Sequence, residues 1–380
     1  MKVRSIGVLT ECAEGERRVA LVPDGARRLG RTGLEIVIEK GAGDRADFPD
    51  AAYTDAGATV TDRSEVLDKA DVLLCVNRPP AEDLERLRAG QTIIGLLNPQ
   101  SDPALFDSLG ARGVVAISME RLPRTVSRAQ AMDVLTSQAG VAGYRAVLVA
   151  ATTYARFFPM LITAAGTSRP ARVLVLGAGV AGLSAIGTAR RLGAVVTGYD
   201  VRPEARGEVE SLGAKFLVLT AVGPAGGTGG YARALTPEEQ KAQQEELESH
   251  LGSFDVVITT AAVPGRRPPL LISSAGLARM HAGAVVVDAG CGPLGGNVEG
   301  TVAGLTAQTP GGVTLIGLAN GAADVPGAAS DALSSNYSSV LASVVRDGEL
   351  VIDPEDEVHA AIVVTAPQTT GGADARVPTI

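Results

Sequence analysis

Residues 172–200, RVLVLGAGVAGLSAIGTARRLGAVVTGYD, run in a fixed order: apolar strand, glycine turn, small-residue helix, second strand, acid. Val173-Leu174-Val175-Leu176 reads as a buried strand, and Gly177-Ala178-Gly179-Val180-Ala181-Gly182 follows at once. In such a turn Gly177 permits the tight bend, Gly179 lets the backbone approach a pyrophosphate, and Gly182 lets helix and strand pack closely. The helix N-terminus then offers free N–H groups and a positive dipole end to phosphates. The second β-run, Ala194 to Thr197, ends near Asp200, placed to bond an adenosine ribose and to repel a 2′-phosphate. This order predicts a dinucleotide site that prefers NAD, built from Gly177, Gly179, Val180, Gly182, Asp200, Val201 and Arg202. Arg202 pulls the other way, since a nearby arginine can accept a 2′-phosphate. A purely structural βα turn would not explain Asp200.

At 380 residues the chain is long enough for two domains. Apolar residues make up 46% of it, enough for large cores, and abundant Gly and Ala suit tightly packed α/β layers. The net charge of −8 and the lack of a basic cluster argue against nucleic-acid binding. Cys12, Cys75 and Cys291 lie far apart in no metal or redox spacing, so no metal site and no disulfide framework is expected, and a reducing cytoplasmic compartment fits. The first residues lack the apolar region of a signal peptide. No run of about 18 apolar residues is apparent, so direct membrane insertion is not expected.

Outside the glycine motif the chain also alternates strand and helix. Arg4 to Leu9, Leu34 to Glu39, Asp71 to Val76, Thr92 to Leu97 and Val114 to Ile117 read as strands, and Pro23 to Leu29 as a helix. Later strands are expected at Lys215 to Leu219, Asp255 to Thr259, Ala284 to Val287 and Val313 to Ile316, with a helix at Ser330 to Val345. Such alternation implies parallel sheets. The expected fold is α/β: two Rossmann-like, doubly wound parallel-sheet domains joined by long helices. The first would span 1–128, completed by about 330–367; interdomain helices 129–171; the dinucleotide-binding domain 172–329; and a flexible tail 368–380.

Gly223 to Tyr231 is glycine-rich and long for an α/β connection, which marks it as a lid or a solvated linker with Tyr231 at its tip. A polar helix over Leu235 to Leu251 follows, with Thr236 as cap, Pro237 in the first turn and Glu239 at the capping-box position.

Oxidation of a C–OH or C–N bond needs a positioned acid/base beside the hydride acceptor. The three histidines, His250, His281 and His359, and the five lysines read as peripheral or structural. A richer cluster is Arg124 to Thr136, which carries two arginines, an amide, a carboxylate and hydroxyls. Here Arg and Asp could fix each other, and Gln130 and Thr136 could bond a carboxamide. The competing reading is a capped helix N-terminus with exposed charge.

Several segments together carry a family resemblance. They are Glu16 to Pro23, Ser127 to Asp133, Ala142 to Ala146, Phe158-Pro159-Met160, Thr163 to Thr167, Gly229 to Ala232, Thr259-Thr260-Ala261 and Pro264-Gly265. With them the chain resembles the NAD(H)-binding component (domain I, alpha subunit) of proton-translocating NAD(P) transhydrogenase, in the alanine dehydrogenase/transhydrogenase superfamily. The resemblance implies that Arg124, Gln130 and Asp133, with Thr136 just after them, organise the nicotinamide. It also implies that Tyr231 closes over the nucleotide and that Thr260 and Ala261 contact it. Hydride would pass directly between NAD(H) here and NADP(H) on a partner subunit, with no proton exchanged. That agrees with the poverty of His and Lys. The resemblance further implies a homodimer, NADP-binding and membrane partner subunits, and a cytoplasmic location, peripheral to the inner membrane face through a partner.

Departures from the family lie in three segments and at Leu333 and Ser335, which replace a usual Tyr and Lys. Pro123 to Arg128 is one residue longer than the usual loop. Residues 289–298 lack the usual acid before Gly-Gly-Asn, and 318–323 replace an asparagine loop with Pro and Ser. Alanine dehydrogenase would need a substrate Lys and His, where this chain has Asn77 and Asn98. The alternatives are therefore a stand-alone soluble NAD-dependent oxidoreductase on an amino or imino acid, or a non-catalytic NAD-binding module.

Overall fold

In the computed structural model, which describes residues 1–164, 166–221, 236–261 and 267–365, the apolar runs of the sequence become strands. The first six are β1 (Ser5–Val8), β2 (Glu35–Glu39), β3 (Thr59–Thr61), β4 (Val72–Asn77), β5 (Thr92–Leu96) and β6 (Val115–Ser118). A hairpin of β7 (Leu161–Thr163) and β8 (Gly166–Ser168) comes next. Then follow β9 (Arg172–Leu176), β10 (Val195–Tyr199), β11 (Lys215–Phe216), β12 (Val256–Thr259), β13 (Val285–Asp288), β14 (Thr306–Gln308) and β15 (Thr314–Gly317). The chain closes with β16 (Val345–Arg346), β17 (Glu349–Leu350) and β18 (Val363–Thr365).

These form two compact units, Met1–Leu135 with Pro326–Ile380, and Thr136–Val325. In the first, the sheet order is β18-β6-β5-β4-β1-β2-β3, all parallel except β18, which runs antiparallel to β6. In the second, the order is β11-β10-β9-β12-β13-β15-β14, all parallel except β14. The α/β expectation of two doubly wound sheets therefore holds.

Both sheets are covered on both faces, which is why their strands read as continuous apolar runs rather than alternating ones. Along β9, Val173 and Val175 enter one core while Leu174 and Leu176 enter another. Along β4, Val72, Leu74 and Val76 face one layer, Leu73 and Cys75 the other.

Several expectations need correction. The stretch 129–171 is not continuously helical: a 3-10 helix at Ser127–Met132 precedes one long helix, Val134–Thr153, and the β7–β8 hairpin follows. By length and composition alone that helix could cross a membrane, yet polar residues such as Thr136, Ser137, Gln138 and Arg145 interrupt it, so it holds no run of about 18 apolar residues. Its packing explains the composition. Ala146, Val147 and Ala150 are buried in a core of the second unit, Gly143 lies against the Ala181 backbone, and Arg145 pairs with Asp324 at 3.2 Å. β11 covers only Lys215–Phe216, since a sheet-edge strand has one neighbour to hold it.

The polar helix spans Pro237–His250, and its capping box is complete: Thr236 Oγ1 accepts the Glu239 N–H, and Glu239 Oε2 accepts the Thr236 N–H. The glycine loop with Tyr231, the Pro264-Gly265 pair and the tail from 366 lie outside the described residues.

Candidate functional site

The pairing register of the second sheet lines up Leu176, Tyr199, Thr259, Asp288 and Gly317 across its carboxyl edge. Whatever follows these residues is gathered at that edge, where open α/β sheets bind ligands. The edge also holds the switch point of the sheet, between β9 and β12, from which the connections run in opposite directions.

The three motif glycines divide the work there. Gly177 has φ +95°, a left-handed conformation that glycine tolerates, and a Cβ on it would meet Thr260 Oγ1 at 2.8 Å. A Cβ on Gly182 would collide with the Gly177 carbonyl oxygen, so helix Val180–Arg191 can seat on the turn only without a side chain. Gly179, the N-cap of that helix, is exposed, and nothing lies within 4 Å of where its Cβ would be. The open side of the turn is thus left to a ligand, and Val180 opens the first helical turn behind it. This cradle fits a pyrophosphate.

Asp200 follows β10. Its Oδ2 accepts the Ala178 N–H at 2.8 Å, tying the acid to the glycine turn. Arg202 grips the same carboxylate, Nε to Oδ1 at 3.0 Å and Nη2 to Oδ2 at 3.1 Å, and also donates to the Ala178 carbonyl at 3.2 Å. The two residues that gave competing signals are therefore one unit, and both Asp200 oxygens are engaged within it, the Arg202 N–H also donating to Oδ1 at 2.9 Å. Val201 packs against a core of the same unit. Thr260 extends the arrangement: its N–H bonds the Leu176 carbonyl and its hydroxyl the Gly177 carbonyl, with Ala261 next in line.

Sequence reasoning missed a second network on this edge. Asp288, fully buried, accepts four hydrogen bonds: from Thr259 Oγ1, the Gly290 N–H, the Val298 N–H and Thr301 Oγ1. Asn297, also fully buried, donates to the carbonyls of Ala261 and Pro269. An acid closing an apolar strand, ahead of a glycine-rich loop, was the available signal.

The Arg124–Asp133 segment of the first unit takes definite form. Arg124 Nε lies 3.4 Å from Asp133 Oδ2, and Asp133 is buried, so the arginine and the aspartate do meet. The 3-10 helix Ser127–Met132 between them is held by Asn336 Nδ2, which donates to the Ala131 carbonyl, and by the Arg128–Asp356 ion pair at 2.6 Å. Gln130 is left exposed on this braced loop. Thr136, where the second unit begins, is half-buried in the first turn of helix Val134–Thr153.

The first unit also carries a polar cluster around Asn77, one of the two positions where alanine dehydrogenase would need a substrate Lys and His. Arg18, buried, donates to both carboxylate oxygens of buried Glu16, at 2.8 and 2.6 Å. Asn77 donates to Glu16 and to Glu11, and Glu11 accepts the N–H groups of Val76 and Asn77. Burial would raise the Glu16 carboxyl, but the Arg18 guanidinium outweighs it and holds the group below its usual value. For Glu11 burial wins, and its pKa is pushed up to about 7.

The histidines take no part at the carboxyl edge of the second sheet. His281 lies 3.2 Å from Asp255, just before the amino end of β12, and His359, buried in the first unit, bonds the Asp353 N–H.

Two family models match, described as alanine dehydrogenase/PNT, N-terminal domain, over residues 7–142, and alanine dehydrogenase/PNT, C-terminal domain, over 146–370. The chain is 41% identical over 365 residues to the NAD(P) transhydrogenase subunit alpha of Cereibacter sphaeroides, covering 95% of this chain and 69% of that one. It is 37% identical over 361 residues to the NAD(P) transhydrogenase subunit alpha of Haemophilus influenzae, covering 94% and 70%. Among solved structures, the transhydrogenase from Sinorhizobium meliloti superposes with a TM-score of 0.84 at 39% identity, covering 96% of this chain and 99% of that one.

Proposed function

Because the chain belongs to the alanine dehydrogenase/PNT family, and is 37–41% identical over nearly its whole length to transhydrogenase alpha subunits, we propose that it is the NAD(H)-binding component of an NAD(P) transhydrogenase. In this reading the second unit holds NAD(H) at its carboxyl edge. The nicotinamide nucleotide, when bound, supplies or accepts a hydride, exchanged directly with NADP(H) on a partner subunit.

The observation that carries the reading is the pairing of a complete nucleotide cradle, Gly177-Gly179-Gly182 with Asp200, with no histidine among the described residues of the same edge. A cradle without histidine or lysine among its described residues suits hydride transfer between two rings, where catalysis is mostly positioning. Gln130 is exposed on a loop braced by Arg124 and Asp133, and the resemblance assigns this loop, with Thr136 just after it, to organising the nicotinamide. Asn77 and Asn98, standing where alanine dehydrogenase would need a substrate Lys and His, speak against amino-acid turnover.

The partners follow from the same reading: an NADP-binding subunit, a membrane subunit and a second copy of this chain. The location is cytoplasmic, at the inner membrane face where a partner holds it. Tyr144, Phe157, Met160 and Ile162 are exposed apolar side chains on and after the long helix, which suits a homodimer contact.

Titration calorimetry with NADH and NADPH tests the cofactor assignment. NADH should bind and NADPH much more weakly; equal affinities would remove the assignment.

A further inference from the structure

We propose that Asn297 is a positioning residue for the nicotinamide half of the cofactor site, acting through Ala261. The inference rests on the NAD(H) reading above and goes beyond it. Counting from β9, the strand order β11-β10-β9-β12-β13-β15 is the 3-2-1-4-5-6 order of two mononucleotide-binding halves. The glycine turn and Asp200 belong to the β9–β10–β11 half, which takes the adenosine side. The ends of β12 and β13 belong to the other half, which takes the nicotinamide side.

Asn297 is the tie between those two strand ends. Its Nδ2 donates to the Ala261 carbonyl at 2.7 Å and to the Pro269 carbonyl at 2.8 Å. Its own backbone carbonyl accepts the N–H groups of Leu271 and Ile272. Two acceptors on one side fix which way the amide points, because only the NH2 group can face both. The consequence is an unpartnered, fully buried Oδ1 packed so closely on Gly290 that a Cβ there would collide with it. An orphaned acceptor is costly, and it is kept here while both donors are used.

The residue is itself held from below. Asp288 accepts the Val298 N–H and Thr301 Oγ1 on Oδ2, and Thr259 Oγ1 and the Gly290 N–H on Oδ1. A Cβ on Gly296 would collide with Asp288 Oδ2, so Gly296 lets the loop close on the acid. β13, the 289–301 loop, Asn297 and Ala261 thus form one hydrogen-bonded chain, and Thr260 continues it to the Gly177 carbonyl. Loss of the Asn297 amide would free Ala261 while leaving the glycine turn and Asp200 in place.

The test compares NADH with ADP-ribose, which shares the adenosine side and lacks the nicotinamide ring. In Asn297→Ala, NADH affinity should fall about tenfold while ADP-ribose affinity stays within about twofold. Thr301→Ala, a milder change that removes one donor to Asp288, should act in the same direction with a smaller effect. Equal weakening of both ligands would reduce Asn297 to a general structural role, and unchanged NADH affinity in both variants would overturn the inference alone. A wild-type chain that binds neither ligand would overturn the NAD(H) reading and this inference with it.

Discussion

Arg202 closes a fork on Asp200, with Nε 3.0 Å from Oδ1 and Nη2 3.1 Å from Oδ2, so the acid and the base at the end of β10 act as a pair. The pair neutralises itself, and in the proposed NAD(H) role discrimination against a 2′-phosphate would depend on both members. Removing the arginine as Arg202→Ala leaves Asp200 with an uncompensated charge. NADPH affinity should then fall further while NADH binding is largely kept. A variant that gains NADPH affinity would contradict this. Asp200→Ala should cost about 1–3 kcal/mol of NADH binding, as calorimetry would show.

The glycines of the turn give a second prediction, in which two similar substitutions separate. Gly179→Ala meets nothing within 4 Å, so the fold should be unaffected while the methyl group blocks close approach of a pyrophosphate. NADH affinity should drop with the melting temperature unchanged. Gly182→Ala drives a Cβ into the Gly177 carbonyl oxygen, so it should lower both. The expected loss of stability is at the upper end of the ~1–3 kcal/mol typical of overpacking. Identical behaviour of the two variants in thermal melts and titrations would refute this division of labour.

Much of this architecture was legible because parallel strands buried on both faces leave uninterrupted apolar runs, as at Val173–Leu176 and Val285–Val287. The helix from Pro237 was legible because its capping box is written in four consecutive residues. What escaped notice was short or nonlocal. β3 is three residues with two threonines, and β14 is an exposed three-residue edge. β18 exists only because β6 lies open to an antiparallel neighbour some 250 residues away in sequence, with Thr365 Oγ1 donating to the Val114 carbonyl. The Asp288–Asn297 network was illegible for the same reason: its partners Thr259 and Ala261 lie 29 and 36 residues earlier. Arg124 and Asp133 were legible as a pair because nine residues separate them within one motif.

The buried cluster of the first unit supplies a pH prediction. Burial raises Glu11 to about 7 in the folded chain against 4.5 ordinarily, so the folded state holds its proton more tightly than the unfolded state. Folding is therefore favoured by this group at low pH, and that contribution is lost as pH rises from about 4.5 through about 7. Glu16 is shifted the other way, so its contribution is present at higher pH and lost only as pH falls below its ordinary range. Urea unfolding of wild type and Glu11→Gln between pH 5 and pH 8 should show wild type losing on the order of 3 kcal/mol relative to the variant across that window. Parallel pH profiles would mean that Glu11 does not titrate there.

Hydride transfer between two nucleotides is the most direct test. The chain is mixed with the NADP-binding component of a transhydrogenase, and reduction of an NAD analogue by NADPH is followed. Transfer should occur, the isolated chain should turn over no amino acid, keto acid or alcohol, and Gln130→Asn should slow transfer strongly with NADH affinity nearly unchanged. Turnover of an amino acid by the isolated chain, or no transfer with any of several NADP-binding partners, would contradict the assignment.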